Sequence, residues 1–179
     1  GLMLALFQES AHALLLVGSL EAAAEHIPAG KEDLASLLDG IDRYWKMQTL
    51  DELKVAIGHI DMMVTGASAI TPGGLRFGKG HGYFDLEWAM TYTKGLVDES
   101  TVVFGVGHDC QVVDVDVVAR AYDTAIDYIV TNTRVIQTRH EYRKPTCGVL
   151  WDQLAPGMLE QIAPLQELRY APISKSPQE

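Results

Sequence analysis

The chain has 179 residues and a mass of 19.6 kDa, the size of one ordinary domain with at most a short tail. Apolar residues make up 47% of the sequence and charged residues 21%, a composition that excludes wholesale disorder. The formal net charge of −10 disfavours nucleic acid and anionic membranes as partners.

The start of the chain is unusually apolar. Leu2–Phe7 is an apolar run of strand length without the basic leader of a signal peptide, so we expect a cytoplasmic protein. Such a run would be exposed in a lone monomer, and we therefore expect a partner surface or a homo-oligomer. A chain that begins inside its core is also typical of a fragment.

Further elements follow before the middle of the chain. Ala13–Val17 is a second short apolar run, and apolar residues at positions 34, 37, 38 and 41 have helical spacing. Thr49 and Glu52 have the spacing of a helix capping box. Ile60–Gly66 is the clearest strand, because β-branched and apolar residues run into a glycine, as in a central parallel strand.

The second half continues the alternation. Turn residues occupy 71–74, a helix is predicted over Tyr83–Leu96 and a strand over Thr101–Gly107. A valine-rich extended stretch follows, and then two short strands at Ala125–Val130 and Arg134–Ile136. A helix is expected within 151–162 and disorder over 174–179.

Strands that alternate with helices and end in small residues indicate an α/β fold with a largely parallel sheet. We place the α/β domain at residues 1–140 and a C-terminal extension at 141–179, because five of the seven prolines lie after residue 138.

The strongest chemical signal lies between a strand and a helix, in the segment Arg76-Phe77-Gly78-Lys79-Gly80-His81-Gly82-Tyr83-Phe84-Asp85. Alternating glycines allow close backbone approach to an oxyanion, and the next helix adds its positive N-terminal end. Arg76 and Lys79 add full charges. The segment predicts a phosphate site, the alternative being a solvated glycine-rich loop.

Three further residues are candidates for the site. Asp85, in the first turn of the helix, either interacts with the helix dipole or holds Mg²⁺ against phosphates. Asp127, at a strand start, needs a cation or donors, so metal ligation and structural pairing are both open. His108 follows a strand end and either contacts a ligand or is a hydrogen-bonded structural histidine.

The segment Arg76–Asp85 resembles the glycine-rich signature of the 5-formyltetrahydrofolate cyclo-ligase (methenyltetrahydrofolate synthetase) family. Val106–Asp114, Ile126–Ile136 and Lys144-Pro145-Thr146 look like the branch of methenyltetrahydrofolate synthetase domain-containing proteins. The resemblance spans about Ile60 to Arg169.

The resemblance implies a three-layer α/β fold of the sugar-phosphate isomerase and CoA-transferase type. It also implies ATP- and Mg²⁺-dependent closure of 5-formyltetrahydrofolate, a reduced folate, to 5,10-methenyltetrahydrofolate. ATP phosphorylates the formyl oxygen, the N10 amine attacks, and phosphate leaves. Such a reaction depends on positioning and charge neutralisation more than on a protein nucleophile.

The resemblance also implies roles for individual residues. By motif position ATP is bound by Arg76, Gly78, Lys79, Gly80, His81, Gly82, Tyr83 and Phe84. The folate is expected near Lys79, His81, Tyr83 and His108, with Lys79 and Tyr83 as the catalytic residues. Asp85 and Asp127 would hold Mg²⁺.

The chain also departs from the family pattern. His81, Phe84 and Ala121-Tyr122-Asp123 stand where other residues are usual, and the basic N-terminal helix of the family is expected to precede this chain. A non-catalytic nucleotide- or folate-binding paralogue is therefore the second hypothesis. The third is a sugar-phosphate isomerase that uses Asp85 or Asp109 as its base.

Overall fold

The computed structural model of the chain describes residues 3–5, 28–31, 33, 49–78, 80 and 82–170. The predicted elements at 13–17 and 34–41, the side chains of Lys79 and His81, and the tail at 174–179 lie outside the described residues.

Five of the described strands form the main sheet, in the order β1 (Met3–Ala5), β2 (Met62–Gly66), β5 (Val102–Val106), β6 (Tyr128–Val130) and β7 (Val135–Gln137). The first four strands of that order are parallel, and β7 is antiparallel to β6. A separate antiparallel pair is formed by β3 (Ala69–Ile70) and β4 (Arg76–Phe77).

The paired strands β2 and β5 lie within the sheet. Met63 and Val103 are partners in the register of the two strands, and both are fully buried. The alternating burial of both strands ends at exposed Gly66 and Val106. Because β2 and β5 are parallel, these ends lie at the same edge of the sheet, where ligands of open α/β folds bind. The strands predicted at 60–66 and 101–107 are confirmed.

A short hairpin connects β2 to the helix that follows. Ser68 N–H donates to the Phe77 carbonyl at 2.7 Å, and Thr71 N–H to the Leu75 carbonyl at 2.8 Å. The turn requires glycine at position 74, where φ is +105° and a Cβ would lie 2.8 Å from the Ile126 carbonyl oxygen. The turn chemistry at 71–74 predicted this reversal; the two-residue strands beside it were too short to predict.

Four α-helices are described, with short 3₁₀ turns at Asp109–Gln111 and Trp151–Gln153. The capping box is confirmed, since the Glu52 amide and side chain both bond Thr49. The helix predicted from Tyr83 is confirmed and ends at Thr93. The helices are α1 (Leu50–Ile57), α2 (Tyr83–Thr93), α3 (Met158–Gln161) and α4 (Ala163–Tyr170).

The C-terminal residues pack on the same core as the sheet. Leu165 of α4 is fully buried, and the buried indole of Trp88 in α2 donates to the Pro145 carbonyl at 2.9 Å. The α/β class with a largely parallel, helix-flanked sheet is therefore confirmed, while the division at residue 140 stays a prediction. Within the described ranges, every helix is too short or too polar to cross a membrane.

The Trp88 contact gives a test of this packing. Trp88→Phe removes the indole donor to the buried Pro145 carbonyl, so it should lower the free energy of unfolding by about 1–3 kcal/mol. Trp151→Phe is the matched control, because Trp151 is only half-buried. Urea unfolding checks both variants, and an equal loss in the two would contradict the role of the Trp88 hydrogen bond.

Candidate functional site

A cleft of about 970 Å³ opens where β2 and β5 end. The cleft is lined by the end of β2 at 64–68, by parts of 75–89 that include the glycine loop and the start of α2, by Val106 at the end of β5, and by parts of 117–123 and 148–158. The sequence predicted the glycine loop as a binding segment, whereas it predicted the end of β2 only as part of a strand. It did not predict that the segments 117–123 and 148–158 line a site.

The glycine loop forms one wall of this cleft. Gly78, Gly80 and Gly82 all line it, and Gly80 and Gly82 have φ values of +91° and +67°. Those left-handed conformations favour glycine over residues with a Cβ. Gly82 is the N-cap of α2, and Gly82, Tyr83 and Phe84 at this helix end all line the cleft. The positive end of α2 therefore borders the cleft.

Arg76 is held inside the protein rather than extended into solvent. Its guanidinium lies 3.3 Å from the Asp85 carboxylate and 4.9 Å from the centre of the Phe84 ring. It also reaches the Gly66 carbonyl at 3.5 Å, and its side chain is only 8% exposed. Arg76 thus ties β4 and the end of β2 to the first turn of α2.

Asp85 occupies a largely buried position beside the loop. One oxygen accepts the Thr124 amide at 2.9 Å, and the other is paired with Arg76. Burial raises the pKa of Asp85, and the nearby Asp123 carboxylate raises it further, against the opposing effects of Arg76 and Thr124. A carboxylate in this state gains from a nearby cation.

Comparison with known proteins bears on this geometry. The sequence profile of the 5-formyltetrahydrofolate cyclo-ligase family matches residues 11–132. The chain belongs to this family. The match starts before Ile60, where we placed the resemblance, and stops before the cleft-lining segment at 148–158.

The curated relatives of this cyclo-ligase family member are methenyltetrahydrofolate synthase domain-containing proteins. The mouse protein is 43% identical over 111 residues, which is 62% of this chain and 30% of the relative. The zebrafish protein is 39% identical over 128 residues, which is 68% of this chain and 33% of the relative. The human protein is 42% identical over 111 residues, which is 62% of this chain and 29% of the relative. The chain therefore spans about a third or less of the length of these relatives.

The structure does not bring Asp127 to Asp85. Asp127 precedes β6, at the amino end of a strand that runs parallel to β5, whereas the cleft lies at the carboxyl ends. Its carboxylate pairs with Lys144 at 2.8 Å and accepts the Val103 amide at 2.7 Å, with His140 at 3.6 Å. Of the two interpretations that the sequence left open, this geometry favours structural pairing.

His108 also has a local partner. Its Nδ1 accepts the Cys110 amide at 3.3 Å, and the residue is exposed and lies outside the cleft lining. The next residue, Asp109, accepts from Thr131, Thr133 and Arg134, and the Thr133 and Thr131 hydroxyls hold its pKa below the usual range. A carboxylate with so many donors is a weak base, which argues against Asp109 as the base in the isomerase hypothesis and leaves Asp85 as the other candidate.

Sequence reasoning missed several cleft residues. Arg120, whose guanidinium donates to the Tyr122 hydroxyl at 2.6 Å, lies with Tyr122 and Asp123 on the segment that lines the cleft after the valine-rich stretch. In the sequence, 121–123 stood out only as a departure from the family pattern. The segment 148–158 carried no functional signal beyond Pro156 and a predicted helix.

The environment of Asp85 predicts a pH effect on stability. Because its pKa is raised above the usual 3.8, the native state holds this proton more tightly than the unfolded chain, and ionisation of Asp85 opposes folding. The unfolding free energy of the wild type, minus that of Asp85→Asn, should fall as the pH rises from below 3.8 through the raised pKa.

Urea unfolding from about pH 3 to about pH 7 measures this difference. Asp116→Asn is the control, since Asp116 is exposed and away from the cleft lining. A difference that grows with pH would mean that Arg76 outweighs burial at Asp85.

Proposed function

We propose that this chain binds ATP with Mg²⁺ in the cleft and uses them to close 5-formyltetrahydrofolate to 5,10-methenyltetrahydrofolate. The observation that carries the proposal is the wall formed by three glycines and the N-terminal end of α2 beside the buried Asp85. Family membership supports the folate substrate, as do the relatives, whose names include a methenyltetrahydrofolate synthase domain.

The loop supplies binding for an anion through its backbone. Glycines in left-handed conformations bring main-chain groups close to a ligand, and the first turn of α2 contributes its partial positive charge. Such a site is suited to phosphate oxygens, because backbone N–H groups can bind them without a particular side chain. We assign the phosphates of ATP to this wall.

The side-chain charges of the cleft explain why a divalent cation is needed. Among the described lining residues two are basic, Arg76 and Arg120, and three are acidic, Asp85, Glu87 and Asp123. Side chains alone therefore do not neutralise a polyphosphate at this wall. A bound cation would supply that neutralisation and polarise the phosphates for transfer.

The residues present fit Mg²⁺. This ion is usually held by one or two carboxylates together with substrate phosphates and water, rather than by a cage of protein ligands. Asp85 and Asp123 both line the cleft and interact electrostatically. Across the described ranges no group of three or more His, Cys, Asp or Glu side chains is placed to hold a metal. We therefore assign the cation to Asp85, with Asp123 beside it, and not to Asp127.

The remaining roles concern orientation. Arg76 positions Asp85 through their ion pair, and we assign Tyr83, which is half-buried in the cleft lining, to contact with the folate. Lys79, His81 and Tyr83 keep the roles that the family resemblance implies. The chemistry needs the formyl oxygen beside the terminal phosphate and N10 beside the formyl carbon. Inorganic phosphate then departs with that oxygen, so positioning is the main contribution of the protein.

Ligand-induced stabilisation tests the binding part of the proposal. ATP with Mg²⁺ should raise the melting temperature, because a ligand at 100 times its Kd adds about 2.7 kcal/mol to the native state. ATP with EDTA should give a smaller rise, since the cleft then lacks its neutralising cation. No shift at saturating ATP and Mg²⁺ would count against the nucleotide site.

Turnover tests the rest. Formation of methenyl product from 5-formyltetrahydrofolate, ATP and Mg²⁺ is followed by its absorbance. The tie between Asp127 and Lys144, which removes one expected metal ligand from the cleft, favours a second candidate: a paralogue that binds these ligands without closing the ring. Ligand-induced stabilisation without product would select that candidate.

A matched pair of glycines tests the loop itself. Gly82 and Gly95 both have φ of +67°, so alanine at either position carries a similar backbone cost of about 1–2 kcal/mol. Gly82 lines the cleft, whereas Gly95 follows the far end of α2. Gly82→Ala should therefore weaken Mg·ATP binding by about tenfold or more, since an added methyl group displaces the phosphate from the backbone.

Gly95→Ala should leave the Kd for Mg·ATP unchanged. Calorimetric titration of both variants measures the effect, after their melting temperatures show equal stability losses. Equal affinities in Gly82→Ala and Gly95→Ala would exclude the glycine loop as the phosphate wall.

A further inference from the structure

One wall of the cleft lies beyond the family match, which ends at residue 132. It is the C-terminal wall, defined here as the cleft-lining residues Gly148, Leu150, Gln153, Leu154, Ala155 and Met158. The glycine loop, the end of β2 and the segment 117–123 all fall within the match. The cleft therefore combines three walls that the family profile covers with one that it does not.

The C-terminal wall is fixed to the helix that carries the phosphate end of the cleft. The Trp88 indole in α2 donates to the Pro145 carbonyl at 2.9 Å, and the Val149 amide donates to the Thr93 hydroxyl at 3.3 Å. Gly148 has φ of +61°, and a Cβ there would lie 2.7 Å from the Thr93 hydroxyl oxygen. The wall thus enters the cleft at a set distance from the glycine loop.

The chemistry of this wall differs from that of the rest of the cleft. All the acidic and basic residues of the described lining come from the segments at 76–87 and 120–123. The C-terminal wall contributes the apolar side chains of Leu150, Leu154 and Met158, with one uncharged amide at Gln153. Leu154 and Met158 pack against the core, which fixes their positions. Both are only half-buried, so part of each side chain remains accessible to a ligand.

We propose that Leu150, Leu154 and Met158 form a subsite for the flat heteroaromatic ring of a ligand whose anionic part lies at the glycine loop. Apolar side chains bind the faces of such a ring, the thioether of Met158 adds contacts that suit an aromatic partner, and Gln153 offers one amide to a ring edge. The subsite rests on the proposed function, which provides two such rings: adenine of ATP and the pterin of the reduced folate.

The test compares truncations in this wall with a matched control. Leu154→Ala and Met158→Ala shorten side chains that line the cleft. Leu159→Ala shortens a half-buried leucine of α3 that packs on the core outside the cleft. Met158→Leu keeps the volume and should keep the binding. The dissociation constants of Mg·ATP, magnesium tripolyphosphate and 5-formyltetrahydrofolate are measured for each protein by calorimetry, with melting temperatures as the check on folding.

Leu154→Ala and Met158→Ala are expected to weaken a ring-bearing ligand by about tenfold or more, and tripolyphosphate by less than about twofold, because only apolar contacts are lost. A loss confined to the folate assigns its pterin to the subsite, and a loss confined to Mg·ATP assigns the adenine. Equal losses for all three ligands, an equal loss in Leu159→Ala, or no loss at all would overturn the subsite.

The proposed function and the subsite fail in different ways. A wild-type protein that binds the folate but gives no response to Mg·ATP defeats the proposed reaction, while the folate affinities of the variants still decide the subsite. Binding of tripolyphosphate and Mg·ATP with equal affinity, together with no folate binding, leaves the phosphate wall standing and overturns the subsite. Failure of the wild type to bind any of the three ligands overturns both.

Discussion

Helix α2 is the element on which the cleft depends, because each wall is bonded to it. At its N-terminal end, Asp85 forms an ion pair with Arg76 of β4. Asp85 also accepts a hydrogen bond from the amide of Thr124, which directly follows the segment 117–123. In its middle and at its end, Trp88 and Thr93 hold the C-terminal wall. The helix itself is fixed by burial of one residue after another from Leu86 to Thr91. A rigid support of this kind keeps groups from distant parts of the chain at fixed separations.

The ion pair between Arg76 and Asp85 has a cost as well as a benefit. Both side chains are largely buried, so removal of either one would leave an unpaired buried charge and would strongly destabilise the protein. The pair places a carboxylate beside the glycine loop, but it also uses a positive charge that the sequence had predicted for phosphate. Since burial still raises the pKa of Asp85, Arg76 does not fully compensate the carboxylate. That residual demand for positive charge is what a divalent cation would meet.

The parts of the structure that could be predicted from the sequence are those with local signals. The strands β2 and β5 are recognisable in the sequence as apolar runs that lead into glycine. Thr49 and Glu52 indicate a helix start, because they are three residues apart and bond to each other. Helix α4 was missed because Pro164 reads as a break, although proline is tolerated in the first turn of a helix.

The unpredicted parts of the site depend on the path of the chain. Asp127 and Asp85 are both acidic residues at element starts, yet one start lies at the amino edge of the sheet and the other beside its carboxyl edge. The spacing of residues along the sequence contains no information on that difference. Arg120 lines the cleft from an irregular segment, whose course is set by contacts such as the hydrogen bond from the Tyr142 hydroxyl to the Val117 carbonyl.

The cleft contains a wall that a local sequence signal predicted, the glycine loop, and other walls that depend on the path of the chain. In the function that we propose, the glycine loop binds phosphates through its backbone groups. Any ligand with a polyphosphate could engage these groups, so the loop would provide affinity with little discrimination. Discrimination between ligands requires side chains whose shape and polarity match the remainder of the molecule. In this cleft such side chains come from the family-matched segments, as at Tyr83 and Arg120, and also from the C-terminal wall, which lies outside the family match. Because α2 begins at the glycine loop and is bonded to the C-terminal wall, we expect a change in the C-terminal wall to alter which ring is accepted without moving the glycine loop.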